Sequence, residues 1–152
     1  MKVCIGGTFN VLHKGHKILL EKAFQIAGKN GIVFIGVCKG EILQKKKTVV
    51  PFKKRVNVLK EYLKNKGYTT NHFSIVPIFD EYGLTIDEDY DVIIVSPETV
   101  NTAEEINKKR INMGKKPFKI IKVPFVLAED QKPISSTRIL NKEIDENGRV
   151  LK

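Results

Sequence analysis

Short apolar runs alternate along the chain with longer segments in which apolar residues recur every three or four positions. The runs have the length of buried β-strands, and the longer segments have the periodicity of helices with one buried face. The predicted strands are Lys2–Gly6, Ile32–Val37, Phe73–Phe79, Val92–Val95 and Phe118–Val123. The predicted helices are His16–Ala27, a helix opened by Pro51 that carries Val56, Leu59, Tyr62 and Leu63 on one face, Thr102–Asn112, and Ser135–Asn141. This alternation predicts an α/β protein with a parallel sheet and helices on both faces.

Several residues mark where these helices begin and end. Gly28 and Gly114 follow the last apolar positions of two helices and predict their carboxyl ends. Ser135 or Ser136 is the expected N-cap of the last helix.

The order of elements suits a single Rossmann-like, doubly wound domain with strand order 3-2-1-4-5. In such a sheet the chain changes direction between strands 1 and 4, and ligands bind at the carboxyl ends of those strands. The loops at that point are Gly6–His13 and Ser96–Asn101. We expect the segments Cys38–Val50 and Ala128–Arg138 to close over the same place.

Composition narrows the class of protein. The chain has 152 residues, 41% of them hydrophobic and 29% charged, which predicts one soluble domain over residues 1–152. No apolar run approaches the roughly 20 residues of a membrane span, and the first residues carry no cleavable apolar segment, so we expect a cytoplasmic protein. Cys4 and Cys38 are expected to be reduced core thiols.

The charge balance favours an anionic partner. Lys and Arg together number 27 against 17 Asp and Glu, giving a net charge of +10. Only Arg55, Arg110, Arg138 and Arg149 are arginines, whereas nucleic-acid readers rely on Arg for bidentate contacts. Charge alone leaves nucleotides, phosphorylated metabolites, nucleic acids and anionic membranes open.

The first loop has the composition of an anion site. Residues 6–16 read GGTFNVLHKGH, with three glycines, a threonine and two histidines at a transition from strand to helix. Glycine permits close approach of backbone N–H groups to a phosphate, and a helix N-terminus attracts negative charge. His13 and His16, three residues apart, can both face the same phosphates and stabilise charge that develops during transfer.

With this loop and three further motifs, the chain resembles the HxGH nucleotidyltransferases, and closely the archaeal and eukaryotic type of phosphopantetheine adenylyltransferase. The further motifs are Asp80-Glu81-Tyr82-Gly83, Val95-Ser96-Pro97-Glu98-Thr99 and Ile134-Ser135-Ser136-Thr137-Arg138-Ile139. The resemblance implies transfer of the adenylyl group of ATP to 4′-phosphopantetheine, giving dephospho-coenzyme A and pyrophosphate in coenzyme A synthesis.

The resemblance also assigns roles to individual residues. It implies that His16, His13, Thr8 and Lys46 are catalytic, with Lys46 chosen from Lys45, Lys46 and Lys47 as the residue that bridges the reacting phosphates. The residues expected to bind ATP are Gly6, Gly7, Thr8, Phe9, His13, Gly15, His16, Ser96, Glu98, Thr99, Glu104, Ser135, Ser136, Thr137 and Arg138. Thr8, Lys46, Asp80 and Tyr82 are expected to bind the acceptor. Mg²⁺ is expected to arrive with ATP, bound through the phosphates and without dedicated protein ligands.

Some features leave alternatives open. Bacterial relatives carry an Arg pair where this chain has Ser96–Thr99, so Lys39, Arg138 or Lys108 is expected to hold the triphosphate instead. Sister enzymes use flavin mononucleotide, nicotinamide mononucleotide or glycerol 3-phosphate as acceptors. A nucleic-acid-binding module would use Lys53–Arg55 and Lys108–Arg110 on exposed helices, and a zinc site would use His13, His16 and a cysteine. The oligomeric state is left open.

Overall fold

The computed structural model describes residues 1–43, 49–80, 82, 85 and 88–152 of the chain. Its strands are β1 (Lys2–Gly7), β2 (Ile32–Cys38), β3 (Phe73–Ile78), β4 (Val92–Val95) and β5 (Lys119–Lys122). Its helices are α1 (Lys14–Ala27), α2 (Phe52–Asn65), α3 (Val100–Asn112) and α4 (Ser136–Leu140), with a single 3-10 turn at Gly40–Leu43.

All five strands pair in parallel, in the order β3-β2-β1-β4-β5. The predicted fold class and strand order are therefore confirmed. Alternate residues of each strand face opposite sides of the sheet, so Val3 and Ile5 pack on the side of α1 and α2 while Cys4 packs on the side of α3. Helices thus cover both faces, as expected for a doubly wound domain.

The carboxyl ends of β1 and β4 lie side by side, because β4 pairs with β1 at Val3 and Cys4. The loop after β1 and the start of α3 consequently share one edge of the sheet. A third, small apolar cluster of Ala128, Ile134 and Ile144 supports the segment that leads into α4.

The predicted element ends shift by one or two residues. β1 and β2 each extend one residue further, to Gly7 and Cys38, whereas β3 ends at Ile78 and β5 is shorter than predicted. α1 begins at Lys14, two residues before the predicted start, and α3 begins at Val100. Pro51 is the N-cap residue of α2, and Gly28 ends α1 with a φ of +79°, the left-handed conformation that glycine tolerates.

The nucleic-acid-binding alternative requires exposed arginines on α2 and α3, and the structure does not provide them. Arg55 on α2 is only 3% exposed and Arg110 on α3 only 1%. Both side chains bond to backbone carbonyls of neighbouring segments. Neither guanidinium is therefore displayed to a nucleic acid, which removes the arginines on which that alternative relied. Both cysteines are buried thiols, as expected.

Candidate active site

The two histidines of the first loop form the start of α1. His13 is the N-cap, and its Nδ1 accepts hydrogen bonds from the backbone N–H groups of Gly15 (3.0 Å) and His16 (3.4 Å). In return, Nδ1 of His16 accepts from the backbone N–H of His13 at 3.3 Å. The pair is thus a reciprocal capping box in which both partners are histidines.

This bonding decides which ring nitrogen carries the proton. In each ring Nδ1 accepts from the backbone, so the proton of the neutral imidazole resides on Nε2. Burial lowers the pKa of His13 to about 4, so this ring is neutral near pH 7. The two rings stack with centroids 3.8 Å apart, which aligns them as a pair of N–H donors at the beginning of a helix.

Neighbouring residues hold this pair in place. Phe9 is buried, takes a left-handed φ of +49° and lies 5.0 Å from the His16 ring, measured between centroids. A Cβ on Gly15 would lie 2.8 Å from Cε1 of His13, closer than real side chains approach. A Cβ on Gly7 would lie 3.2 Å from the Phe9 ring. Gly7 and Gly15 therefore make room for the rings of Phe9 and His13.

The N-terminus of α4 is attached to the same loop. The hydroxyl of Ser136 donates to the carbonyl of Val11 and accepts from its backbone N–H, each at 3.1 Å. Ser135 is the N-cap of α4, as expected, and its Oγ accepts from the backbone N–H of Arg138. The structure therefore brings the first loop and the Ser135–Arg138 motif together, although they lie more than 120 residues apart in sequence.

Arg138 is held by carboxylates in this arrangement. It pairs with Asp130 and, at 3.3 Å, with Glu143, and it donates to the carbonyl of Pro133 at 3.1 Å. The hydrogen bond from Arg138 lowers the pKa of Asp130, and Asp130 in turn raises the pKa of Arg138. These bonds fix the guanidinium at the start of α4.

A cavity of about 250 Å³ opens beside the loop, on the α3 side of the sheet. Its lining is mainly apolar and comes from β1 to β4, the segment after β3, and α3, including Phe34, Ile78, Tyr90, Ile93, Ala103 and Ile106. Gly6 and Gly7 belong to this lining. They lead into residues 8–16, which carry His13 and His16 and are called the histidine loop below. The cavity and the loop are therefore adjacent parts of one site.

Polar groups enter the cavity wall at a few points. Asp80, Tyr82 and Thr99 all belong to the lining. The Tyr82 hydroxyl lies 3.4 Å from Oε2 of Glu105, and Nζ of Lys109 lies 4.2 Å from the centre of the Tyr82 ring. Oδ1 of Asp80 accepts from the Tyr82 backbone N–H at 3.0 Å. These contacts attach the segment after β3 to α3.

The remaining predicted residues have varied positions. Ser96 and Thr99 bond to each other in the turn before α3, whereas Glu98 and Glu104 are exposed and outside the cavity lining. Nζ of Lys39 lies 4.8 Å from the centre of the Phe52 ring, and Lys108 is exposed. Lys45, Lys46 and Lys47 lie outside the described residues.

Sequence reasoning missed one residue at the edge of this site. Nη1 of Arg55 donates to the carbonyl of Thr8 in the histidine loop at 2.8 Å. The spacing along α2 indicates its burial, because Arg55, Leu59 and Leu63 recur every four residues and so share one helix face. In the structure all three are buried.

The described residues contain no cluster of three or more His, Cys, Asp or Glu side chains suited to a metal. Within the same part of the chain, no helix is long and apolar enough to cross a membrane.

Comparisons with known proteins agree with this geometry. Residues 4–142 match the family model described as cytidylyltransferase-like. The chain is 50% identical to the phosphopantetheine adenylyltransferase of Methanosarcina mazei, over 99% of this chain and 97% of the relative. It is 42% identical to the enzyme of the same name from Archaeoglobus fulgidus, over 99% of this chain and all of the relative.

A solved structure has a similar fold. The crystal structure of a protein of unknown function from Archaeoglobus fulgidus superposes with a TM-score of 0.73 at 39% identity, covering 81% of this chain and 89% of that one. The family follows from three findings: the matched family model, the near-complete coverage by these relatives and the shared fold. The chain belongs to the cytidylyltransferase-like family and, within it, to the nucleotidyltransferases of the phosphopantetheine adenylyltransferase group.

Proposed function

We propose that this protein transfers the adenylyl group of ATP to 4′-phosphopantetheine, giving dephospho-coenzyme A and pyrophosphate. The observation that carries the proposal is the junction at Gly6 and Gly7 between the histidine loop and the mainly apolar cavity. A loop of N–H donors suits phosphates, and an apolar cavity suits a long uncharged arm. 4′-Phosphopantetheine combines the two, because its phosphate sits at one end of such an arm.

The histidine loop supplies the chemistry in this proposal. The attacking phosphate of the acceptor is already an anion, so the reaction needs positioning and charge stabilisation more than proton transfer. Imidazole donors fit that requirement, since His13 and His16 can donate through Nε2 without giving up a proton. Thr8 orients the attacking phosphate, and Lys46 bridges it to the α-phosphate.

The nucleotide occupies the edge shared by β1, β4 and α4. Ser135, Ser136, Thr137 and Arg138 hold the β- and γ-phosphates, supported by the bond between Ser136 and Val11 that keeps α4 against the loop. Phe9 and Gly15 shape the loop, while Ser96, Glu98, Thr99 and Glu104 contact the adenosine. Asp80 and Tyr82 contact the pantetheine arm from the cavity wall.

Mg²⁺ neutralises the phosphates when it is bound with ATP. The groups at the loop are imidazole and backbone N–H donors, which suit phosphate oxygens and are not ligands for a hard cation. We therefore assign the ion to the phosphates themselves.

The test is pyrophosphate release from ATP, with product mass as a second readout. Release should require both 4′-phosphopantetheine and Mg²⁺, and the new product should have the mass of dephospho-coenzyme A. Undiminished turnover in excess chelator would contradict the assignment of Mg²⁺. Pyrophosphate release that does not depend on the acceptor would contradict the reaction itself.

A further inference from the structure

Arg55 joins three segments of the chain that meet at the active site. It lies in the first turn of α2, and its side chain is almost completely buried. Nε donates to the carbonyl of Val50 at 2.7 Å, and Nη1 donates to the carbonyls of Thr8 at 2.8 Å and Cys38 at 2.9 Å. One guanidinium therefore bonds to three carbonyls that are far apart in sequence.

The three carbonyls have distinct places in the site. Thr8 lies in the histidine loop, directly after β1. Cys38 is the last residue of β2 and Val50 precedes α2, so these two mark the ends of the connection over 39–49. Nearby, the backbone N–H of Val50 donates to Oδ1 of Asn10 at 2.7 Å, a second bond between the loop and this connection. Arg55 and Asn10 thus set where the connection starts and ends relative to Thr8.

The environment of Arg55 matches a role in orientation. Among the described residues it forms no ion pair with a carboxylate, whereas Arg110, the other buried arginine, pairs with Asp89. Burial lowers the pKa of Arg55, as expected for a cation removed from water. The guanidinium can hold three carbonyls because its N–H groups point in fixed, diverging directions, which a lysine ammonium does not reproduce.

We propose that Arg55 is a positioning residue for the adenylyl transfer. By holding the Thr8 carbonyl together with those of Cys38 and Val50, it fixes the Thr8 side of the loop against the two ends of the connection between β2 and α2. The proposal rests on the proposed function, because it assumes that Thr8 orients the attacking phosphate. The substrates do not contact Arg55 in this account.

Two variants test the proposal. Arg55→Lys keeps the charge and loses the fixed directions of the donors, whereas Arg55→Met loses both. Lys53→Met, at an exposed position of the same helix, is the matched control. Turnover is measured well below the melting temperature of each variant, and amide hydrogen exchange is followed in peptides covering 5–16 and 32–43, with α3 as the reference.

We expect kcat to fall at least about tenfold in both Arg55 variants, with the KM values for ATP and acceptor changed less than about threefold. Exchange should accelerate in the two peptides and stay unchanged in α3, and Lys53→Met should behave as wild type. Normal kcat in Arg55→Lys would overturn the proposal, because charge alone would then suffice. A raised KM with unchanged kcat would also overturn it, because Arg55 would then bind substrate.

A second route covers variants that fail to fold. Asn10→Ala removes the bond to Val50; a lowered kcat supports the proposal, and an unchanged kcat overturns it. If wild-type protein shows no turnover with ATP and 4′-phosphopantetheine, the proposed function fails. Hydrogen exchange still tests the positioning role in that case, with unchanged exchange in both peptides as the contradicting result.

Discussion

The imidazole of His16 lies in the first turn of α1, and we propose that it stabilises the transition state. Its Nδ1 is engaged by the backbone of His13, so it presents an Nε2–H donor. Donors of this kind act where negative charge grows during transfer, and removing one lowers the rate by roughly 10²–10³. His16→Ala should therefore lower kcat by about that factor and change the KM for ATP little, measured by steady-state kinetics.

His72 offers a matched control for that variant. It lies just before β3, at the opposite edge of the sheet, and accepts a hydrogen bond from the Thr69 backbone. His72→Ala should keep wild-type kcat. A His16→Ala enzyme with normal kcat and only a raised KM would show that His16 binds substrate without stabilising the transition state.

His13 makes stability depend on pH in a predictable direction. Its pKa is about 4 in the folded protein, whereas a histidine exposed to water in the unfolded chain has a pKa of 6.5. Between these two pH values the unfolded chain therefore binds more protons than the folded protein. The free energy of unfolding should therefore fall as the pH decreases from about 6.5 to 4, by at most about 3 kcal/mol from this residue.

The comparison with His13→Asn isolates that contribution, because asparagine is a good N-cap that does not titrate in this range. Urea unfolding at pH 7, 6 and 5 should show a flatter pH dependence in the variant than in wild type. Equal slopes in the two proteins would mean that His13 titrates alike in the folded and unfolded states.

At the residue scale, the sequence revealed the site but not how its side chains are held. The motif nominated His13 and His16 as neighbours on one side of the loop. Their use as a capping pair was missed because N-caps are usually Ser, Thr, Asp or Asn, and α1 was accordingly predicted to start two residues late. Burial of Arg55 and Arg110 was missed because charge was given more weight than their position in the apolar stripe of each helix.

At the scale of elements, α3 forms one wall of the cavity in which we propose that the acceptor binds. Thr102 lies in the lining and is partly exposed, whereas its neighbour Asn101 is exposed and outside the lining. Thr102→Phe should fill part of the cavity and raise the KM for 4′-phosphopantetheine at least about tenfold, a loss of about 1.4 kcal/mol in binding. The KM for ATP should change much less.

Asn101→Phe adds the same ring one position away and should leave both KM values close to wild type. If both variants raise the acceptor KM equally, bulk on this part of α3 matters and the cavity itself does not. If neither does, the pantetheine arm binds elsewhere.

Elements were more predictable than their ends. Buried strands and amphipathic helices have strong and different periodicities, so each strand and α-helix of the described residues was predicted, and the observed strand order is the doubly wound order that suits their alternation. End residues depend on side-chain contacts that arise only in the folded chain. The junction of α4 with the first loop through Ser136 and Val11 is such a contact, and periodicity carries no information about it.

At the scale of the whole molecule, the chain carries a net charge of +10, and the proposed substrates are both anions. The field of such a charge raises the rate of encounter with anions in general and does not choose among them. In our proposal the loop activates a phosphate, and the cavity, which is about 250 Å³ and mainly apolar, selects the acceptor molecule that carries it.

A competition between phosphorylated acceptors tests this selection directly. The protein is incubated with limiting ATP, Mg²⁺ and an equimolar mixture of 4′-phosphopantetheine, flavin mononucleotide, nicotinamide mononucleotide and glycerol 3-phosphate, and the products are resolved by mass. Our account predicts that dephospho-coenzyme A is the dominant adenylylated product. A flavin, nicotinamide or glycerol product in excess of dephospho-coenzyme A would contradict it.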